Sequence, residues 1–459
     1  MKRLLGLLIF LIIIALNSAC KKFLEIDPPK DKFGVAQVFE NDETAISAIT
    51  GIYSRMAFSG FASGDVNSVA NLSGLTADEF RSHISSLDFF YQNEIPSSST
   101  AISSLWTNIY TYIYTANAVI EGLPSSVGVT DATKKQLMGE AKFTRAFCYF
   151  YLVNLFGDVP LMVSTDYRTN DQAPRSSTTK VYEQIVTDLV DAETLLGNNY
   201  PTAERVRPNR SAAKALLARV YLYTKDWANA IAKATEIIDQ KSTYTLVTDL
   251  DQVFLRTSKE AIWQLIPPDG RNTVEGGYFI LTATPNRVSL TPVLMTAFSD
   301  VTDNRKTKWI GSFSNTTGTY YYPFKYKIKT NVTTSVAVTE YSMVIRLAEL
   351  YLIRAEANAM LNKVDLSLED IDAIRKRAGI VVPLTGLNQT QALAEIEKQR
   401  RLEFFSEWGH RWLDLKRLER ATVVLSPLKG STWKDTDIYY PLPDNEINRN
   451  NNLSQNLGY

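Results

Sequence analysis

One stretch near the C-terminus, QRRLEFFSEWGHRWLDLKRL over Gln399–Leu418, constrains the fold more than any other part of this sequence. Read as one helix, it places four large apolar side chains on a single stripe, at steps of four, four and three residues: Phe404, Trp408, Trp412 and Leu415. A stripe of this size is stable only when other elements cover it and remove it from water. The stretch therefore predicts a helix of the protein core.

Charged residues follow the apolar stripe at the spacing of neighbours on one helix face: Arg400 with Glu403, Glu407 with Arg411, and Asp414 with Arg417. At about 100° per residue, Glu407 and Arg411 each fall within about 20° of Arg400, beside the aromatic rings. A buried charge without a partner is costly, so we expect these side chains to be half buried and paired. The pattern favours a structural ion network, and the alternative is a catalytic site.

The N-terminus has the layout of a secretory signal. Lys2 and Arg3 precede a 13-residue apolar run, Leu4–Leu16, and Ser18-Ala19-Cys20 follow. The run is short for a membrane span. Small residues directly before a cysteine look like a bacterial lipoprotein signal, so we expect residues 1–19 to be removed and Cys20 to carry the lipid. The alternative is a soluble secreted protein in which Cys20 is incidental.

The composition is that of an ordinary globular protein with enough apolar material for a large core, since 45% of the 459 residues are hydrophobic. The formal net charge is zero, and without residues 1–19 the chain has 47 basic and 49 acidic residues. This balance gives no reason to expect nucleic acid as a partner. With Cys20 lipidated, Cys148 is the one remaining cysteine, which excludes a disulfide framework and is typical of a small buried hydrophobe.

Several segments show helical periodicity in adjacent pairs. Residues 210–239 resemble one tetratricopeptide-type unit, in which small residues let two antiparallel helices approach closely. Similar pairs are predicted at 132–196, 345–378 and 390–420. Such a pair leaves an apolar face that its neighbour covers, so the sequence predicts a mainly α fold built by stacking pairs. Long loop regions at about 59–100 and 241–340, the second with a few short β-strands, interrupt the helices.

Aromatic residues in the two loop regions are candidates for ligand contact, because loops on a rigid scaffold commonly carry function. The first group combines three rings with an amide: Phe89, Phe90, Tyr91 and Asn93. The second region adds the following candidates: Arg271, Tyr278, Phe279, Arg287 and Trp309. Rings stack on the apolar faces of sugars, and amides and carboxylates hydrogen-bond to hydroxyls. The alternative is that these side chains anchor the loops.

Four motifs carry a resemblance to a known family. They are Arg145–Leu152 with Gly157-Asp-Val-Pro-Leu161, then Ile345–Ala357, the 399–418 stretch, and Tyr439–Ile447 with the terminal Gln-Asn-Leu-Gly-Tyr. Together they are similar to the SusD/RagB proteins, the surface nutrient-binding lipoproteins of Bacteroidetes. The resemblance implies an α-superhelical scaffold in one domain over 20–459, with the C-terminal family signature at 340–459.

The resemblance also implies a function and a place in the cell. The protein would be lipid-anchored in the outer membrane, facing the exterior, with an oligosaccharide ligand and a SusC-like TonB-dependent transporter as partner. A peptide ligand, as in the RagB branch, is the first alternative.

Catalytic and metal-binding motifs are missing from the sequence. It has two histidines, His83 and His410, and no HExxH, nucleophile elbow, phosphate loop or paired-cysteine spacing. We therefore expect a binding protein without catalytic residues, cofactor or metal. A secreted glycosidase stays open as a second alternative, because two carboxylates set across a glycosidic bond leave no local signature.

Overall fold

The computed structural model describes residues 35–267, 270–329 and 337–459, so the predicted signal peptide and Cys20 lie outside the described residues. The described chain is mainly α-helical, which confirms the predicted fold class. Its α-helices are α1 Val35–Val38, α2 Asp42–Phe58, α3 Val69–Thr76, α4 Asp88–Gln92, α5 Thr100–Gly122, α6 Asp131–Phe156, α7 Tyr167–Asn170, α8 Thr178–Leu195, α9 Arg210–Tyr223, α10 Trp227–Ile238, α11 Val274–Phe279, α12 Pro292–Ala297, α13 Asn304–Trp309, α14 Leu347–Met360, α15 Val364–Arg377, α16 Gln389–Phe404, α17 His410–Arg417, α18 Ala421–Lys429 and α19 Asp444–Arg449.

The β-structure of the described residues is limited to antiparallel two-stranded ladders. The strands are β1 Phe80–Ser82, β2 Val159–Pro160, β3 Arg175–Ser176, β4 Ala261–Leu265, β5 Val288–Leu290, β6 Ile310–Asn315, β7 Gly318–Pro323 and β8 Ser342–Arg346. β1 pairs with β5, β2 with β3, β4 with β8, and β6 with β7. The short strands predicted between residues 241 and 340 are thus confirmed.

The predicted helix pairs are also confirmed. α6 packs on α8, α9 on α10, α14 on α15, and α16 on α17, while α8 contacts α9 and α10 contacts α14. Small residues make the close approach of these helices feasible, and α9 alone buries four alanines: Ala212, Ala213, Ala215 and Ala218. Each pair thereby covers the apolar face of the next, as a stacked superhelix requires.

Side-chain caps fix where several of these helices begin. Asn209 precedes α9, and its Oδ1 accepts a hydrogen bond of 3.1 Å from the Ala212 N–H. Before α16, Asn388 and Gln391 form a capping box in which each side chain accepts from the other's N–H at 3.0 Å. α6 ends at Gly157, whose φ of 73° suits glycine. These polar signals set the helix boundaries, and the apolar stripes set the packing.

Aromatic rings join the helices at the centre of the molecule. Trp263 of β4 contacts Phe143 and Phe147 of α6 edge-on, with ring centroids 5.0 and 5.1 Å apart. Phe147 in turn meets Trp408 at 5.5 Å, which brings the 399–418 stretch into the same core. Cys148 is fully buried beside them as a free thiol, in agreement with its predicted role.

The prediction that Gln399–Leu418 forms one helix is wrong. α16 ends at Phe404 and α17 begins at His410, because Ser406, Trp408 and Gly409 adopt left-handed φ values of 60°, 48° and 70°. A Cβ on Gly409 would lie 2.7 Å from the Ser73 Cβ, so this close approach requires glycine. The bend turns Trp408 into the core, where its indole N–H donates to the Met343 carbonyl at 2.8 Å.

The ion pairs of the Gln399–Leu418 stretch also differ from the prediction, because the bend changes which charged side chains meet. Arg400 pairs with Asp414 at 2.7 Å instead of Glu403, and Arg411 pairs with Asp78 at 2.9 Å instead of Glu407. The predicted pair of Asp414 with Arg417 is confirmed at 2.8 Å. Except for Arg417, which is half-buried as expected, these charges are more deeply buried than predicted, and each has an opposite charge as partner.

A second set of buried charges lies where α16 meets the core. Its members are four cations, Arg305, Lys325, Arg346 and Arg377, and four acids, Glu260, Asp303, Glu403 and Glu407. Glu403 is the centre of the set, because it accepts from Arg346 at 2.5 Å, from Arg305 at 3.2 Å and from Arg377. We call this set the central ion network. Its formal charges cancel, which is what burial demands.

Both predicted loop regions contain more helix than expected. The first holds α3 and α4, and α3 is buried along its whole length, so it lacks the one-sided apolar pattern by which a helix is recognised. The second holds α11, α12 and α13, each of six residues. Helices this short have too few turns to produce a periodic pattern, which is why the sequence did not reveal them.

Candidate functional site

A surface cleft of about 560 Å³ lies between the C-terminal end of α2 and α11. Loops on both sides of these helices complete its wall, together with the segment that leads into β5. The described residues that line it are Phe58, Asp65, Val66, Ile84, Pro267, Arg271, Asn272, Val274, Gly277, Tyr278 and Arg287. We call it the α2–α11 cleft.

The position of α11 is fixed by its own residues. Thr273 caps it, since the hydroxyl accepts from the Gly276 N–H at 3.2 Å. Gly276 packs so closely on the next segment that a Cβ there would lie 2.3 Å from the Ile328 carbonyl oxygen. Glu275 points inward and accepts a hydrogen bond from the Ser342 hydroxyl. This inward anchoring of α11 leaves Gly277 and Tyr278 as the helix's contribution to the cleft wall.

Aromatic and cationic groups dominate the chemistry of the cleft. Phe58, the last residue of α2, is 56% exposed, which is unusual for a side chain of this size. The Arg287 guanidinium lies 5.0 Å from the centre of the Tyr278 ring, a cation–π contact. Burial raises the pKa of Tyr278, so its phenol is neutral at physiological pH. The cleft thus offers an open ring, a second ring under a guanidinium, and polar neighbours.

Some polar groups of the cleft already accept hydrogen bonds from the protein's own backbone, whereas the side chain of Arg287 is exposed to solvent. The Asn272 amide is occupied, because its Oδ1 accepts from the Thr339 and Glu340 N–H groups at 3.0 and 3.1 Å. Asp65 accepts from the Asn67 N–H at 2.9 Å, and burial raises the pKa of its carboxyl group. Arg287, in contrast, is an exposed side chain. Its backbone carbonyl accepts from the His83 N–H at 2.6 Å, which ties it to the end of β1.

A smaller cleft of about 230 Å³ adjoins the first and shares Gly277, Tyr278 and Arg287 with it. Its wall adds Lys329, whose ammonium group donates to the Ile280 carbonyl at 2.9 Å and to the Thr282 hydroxyl at 3.1 Å. Lys329 therefore holds the chain just after α11 and adds a third cation to a surface that already has Arg271 and Arg287.

Most of the first group of predicted contact residues is turned inward. Phe90 is buried against Tyr440, with ring centroids 5.8 Å apart, and Asn93 is buried at the left-handed end of α4. Tyr91 is half-buried, with the Lys429 ammonium 4.3 Å from its ring centre. The surface position predicted for Phe90 and Asn93 is therefore wrong. Phe89 is 43% exposed, but it does not line either cleft.

The predicted contact residues of the second loop region divide into cleft residues and core residues. Arg271, Tyr278 and Arg287 come together in the α2–α11 cleft. Phe279 is buried and stacks on Phe80 at 5.1 Å, and Trp309 is 0% exposed and donates its indole N–H to the Leu250 carbonyl at 3.0 Å. For these two the surface assignment is wrong, because each ring is buried in the hydrophobic core.

Two cleft residues went unnoticed in the sequence, Phe58 and Lys329. A signal for Phe58 existed, since it is an aromatic residue at the end of an amphipathic helix and directly before a region rich in Gly and Ser. Lys329 had no local signal, because only the fold brings it next to α11. Within the described ranges, no cluster of three or more His, Cys, Asp or Glu has an arrangement suited to a metal ion. Likewise, none of the helices described is long and apolar enough to cross a membrane.

Comparisons with known proteins identify the family. A family model described as "Starch-binding associating with outer membrane" matches residues 22–222, and a model of the SusD family matches residues 299–459. A SusD-like protein of Formosa agariphila, P38, is 25% identical over 98% of this chain and 98% of its own length. Another from that organism, P25, is 24% identical over 57% of this chain and 51% of its own length.

Solved structures agree with this assignment. A SusD superfamily protein from Bacteroides vulgatus superposes with a TM-score of 0.81 at 21% identity, over 92% of this chain and 99% of that one. A laminarin binding SusD-like protein has a TM-score of 0.75 at 23% identity, over 92% of this chain and 100% of that one. The paired-helix scaffold with its loop-built clefts is thus the SusD fold. The chain belongs to the SusD/RagB family, which confirms the family indicated by its motifs.

Proposed function

We propose that this protein captures oligosaccharides at the bacterial surface and passes them to a SusC-like TonB-dependent transporter. The observation that supports capture is the α2–α11 cleft, which sets the exposed Phe58 ring beside the Tyr278–Arg287 pair. A sugar face can pack on such a ring while its hydroxyls hydrogen-bond to the guanidinium. The starch-binding description of the family model and the laminarin binding relative agree with a glycan ligand.

Binding without hydrolysis fits the cleft better than a glycosidase does. Hydrolysis needs two carboxylates, about 5–10 Å apart, on either side of the scissile bond. Among the described cleft residues, Asp65 is the sole acid, and its carboxylate already caps the loop through the Asn67 and Gly60 N–H groups. The proposal is therefore a binding protein without a catalytic residue.

The capture proposal is tested by titrating the mature protein with a panel of oligosaccharides and with peptides, while monitoring the release of sugar. Binding of a glycan without product supports it, release of sugar supports the glycosidase, and binding of peptides alone supports the RagB-like alternative. Phe58→Ala should weaken glycan binding about tenfold or more, as expected for the loss of a stacked ring. Phe89→Ala is the matched control, because Phe89 is an exposed phenylalanine outside the cleft. If Phe89→Ala weakens binding and Phe58→Ala does not, the ligand binds at α4 instead.

The cellular part of the proposal rests on the N-terminus and on the family. We infer a signal peptide at 1–19, a lipid on Cys20 and one SusD-like domain over 20–459, displayed outward from the outer membrane. Two or three acyl chains give a stable anchor, whereas one is marginal. Cys20→Ala should release the protein into the soluble fraction, and a variant that still sediments with the outer membrane would exclude the lipid anchor. Delivery is tested by co-purification of this protein from its native outer membrane, where a TonB-dependent transporter is the partner expected in the eluate.

A further inference from the structure

The surface formed by the two adjoining clefts is rich in positive charge. Arg287 lines both clefts, Arg271 lines the larger and Lys329 the smaller. No carboxylate of the described residues lies within 4.0 Å of the Arg287 guanidinium or the Lys329 ammonium group. The neighbours of Lys329 are a neutral carbonyl and a neutral hydroxyl.

The two cations also affect each other. Burial, and then the positive charge of Arg287, hold the pKa of Lys329 below its ordinary value. Like charges that share a concave surface repel, and the repulsion is relieved when an anion enters between them. The described acid of these walls, Asp65, is tied to backbone N–H groups in its own loop.

Several buried arginines elsewhere in the protein are matched to acids. The Arg219 guanidinium meets Glu349 at 2.6 Å, and Arg145 meets Asp188 at 2.7 Å. The central ion network balances its charges in the same way. Arg287 and Lys329 are exposed cations with no acid of the described residues as an ion-pair partner, and they lie where a ring and a ligand-sized space are also present, so an anionic ligand would supply their counter-charge.

We infer that the ligand is an acidic oligosaccharide, whose carboxylate or sulfate group binds between Arg287 and Lys329 while a sugar face packs on Phe58. This inference rests on the proposed glycan capture and adds the chemical class of the glycan. A guanidinium forms paired hydrogen bonds with carboxylate and sulfate oxygens, and an ammonium group adds a point charge. Neutral glucans lack both interactions, so they leave the two cations unneutralised.

The test compares acidic glycans with their neutral counterparts on the full mature protein. Isothermal titration uses galacturonate oligomers against the same oligomers after carboxyl reduction, and a sulfated galactan oligomer against its desulfated form. At least one acidic member should bind about tenfold or more tightly than its neutral counterpart. A difference within the galacturonate pair identifies a carboxylate as the bound group, and a difference within the galactan pair identifies a sulfate. Raising the salt from 50 to 500 mM should weaken acidic binding selectively, since salt screens exposed charges.

Variants link the effect to the site. Arg287→Gln and Lys329→Gln should each weaken acidic binding about tenfold and leave neutral binding within about twofold. The control is Arg168→Gln, which removes an exposed arginine of α7 that is distant from the cleft residues in the sequence. It should change neither acidic nor neutral glycan binding. Equal binding of acidic and neutral glycans overturns the inference but leaves glycan capture intact. An affinity for acidic peptides with no glycan bound overturns both, and the salt series decides the matter even if a variant fails to fold.

Discussion

Replacement of Glu403 by glutamine tests whether the central ion network stabilises the fold. Glu403 is fully buried and accepts hydrogen bonds from three guanidiniums, while its backbone carbonyl accepts from Lys325 at 2.7 Å. Burial by itself would raise the pKa of this carboxyl group, but the charges of Arg377, Arg346 and Arg305 lower it well below its usual range. The side chain is therefore ionised throughout the physiological pH range.

Glu403→Gln keeps the shape of the side chain and removes one of four negative charges from a balanced set. Breaking one partner of a buried ion pair typically costs about 3–5 kcal/mol, because the remaining cations are left without compensation. For a chain of about 440 residues, the entropy of unfolding is about 0.9 kcal/mol/K near the melting temperature. The melting temperature should therefore fall by about 3–6 °C.

Differential scanning calorimetry of the mature protein measures this change. Glu236→Gln is the matched control, because Glu236 pairs with Lys214 and Lys233 while its side chain is 39% exposed, where an ion pair contributes at most about 1 kcal/mol. A double-mutant cycle with Arg377→Met should give a coupling energy above about 0.5 kcal/mol. If Glu403→Gln melts within about 1 °C of the control, the network adds no stability and the reasoning fails.

Three further predictions concern other parts of the fold. Burial raises the pKa of Glu79 to about 8, so the folded protein binds more protons than the unfolded chain between pH 4.5 and 8. The parent protein therefore loses stability as pH rises through this window. In urea unfolding, Glu79→Gln should become more stable relative to the parent as pH increases from 5 to 9, and a constant difference would contradict this. Trp309→Ala should lower the unfolding free energy by about 3–5 kcal/mol and leave ligand affinity of the folded protein unchanged, because the ring is buried. Gly409→Ala should cost about 1–3 kcal/mol in thermal unfolding, since its φ is 70° and the added Cβ would clash with Ser73.

Local patterns in the sequence were sufficient to predict the scaffold. The small residues of 210–239 and the apolar periodicity of the neighbouring segments predict paired helices, and pairs of this kind have few ways to stack. The bend after Phe404 could not be predicted in this way. Of its left-handed residues, only Gly409 is of a type that favours such a backbone, whereas Ser406 and Trp408 are held there by tertiary contacts.

The partners in the ion networks were unpredictable for a different reason. Helical spacing identifies neighbours three or four residues apart, whereas Arg411 binds Asp78, which lies 333 residues away, and Glu397 of α16. The candidate site shows the same limit. Composition drew attention to the aromatic residues of both loop regions, but only packing decides which rings line a cleft. Tyr278, although largely buried, forms part of a cleft wall, while Trp309 fills the core.

One segment of the chain links the central ion network to the clefts. Lys325 is buried and pairs with Glu407, while Lys329, four residues later, is exposed at the smaller cleft. Between them, the N–H groups of Lys327 and Ile328 donate to the Glu340 carboxylate at 2.6 and 3.2 Å. The Lys325–Glu407 pair and the Glu340 contacts hold this segment in place, so the central ion network also helps to position Lys329 at the smaller cleft. Glu403→Gln should accordingly weaken binding of an acidic glycan more than that of its neutral counterpart, although Glu403 lies outside both clefts. Equal effects on the two ligands would show that core and cleft are independent.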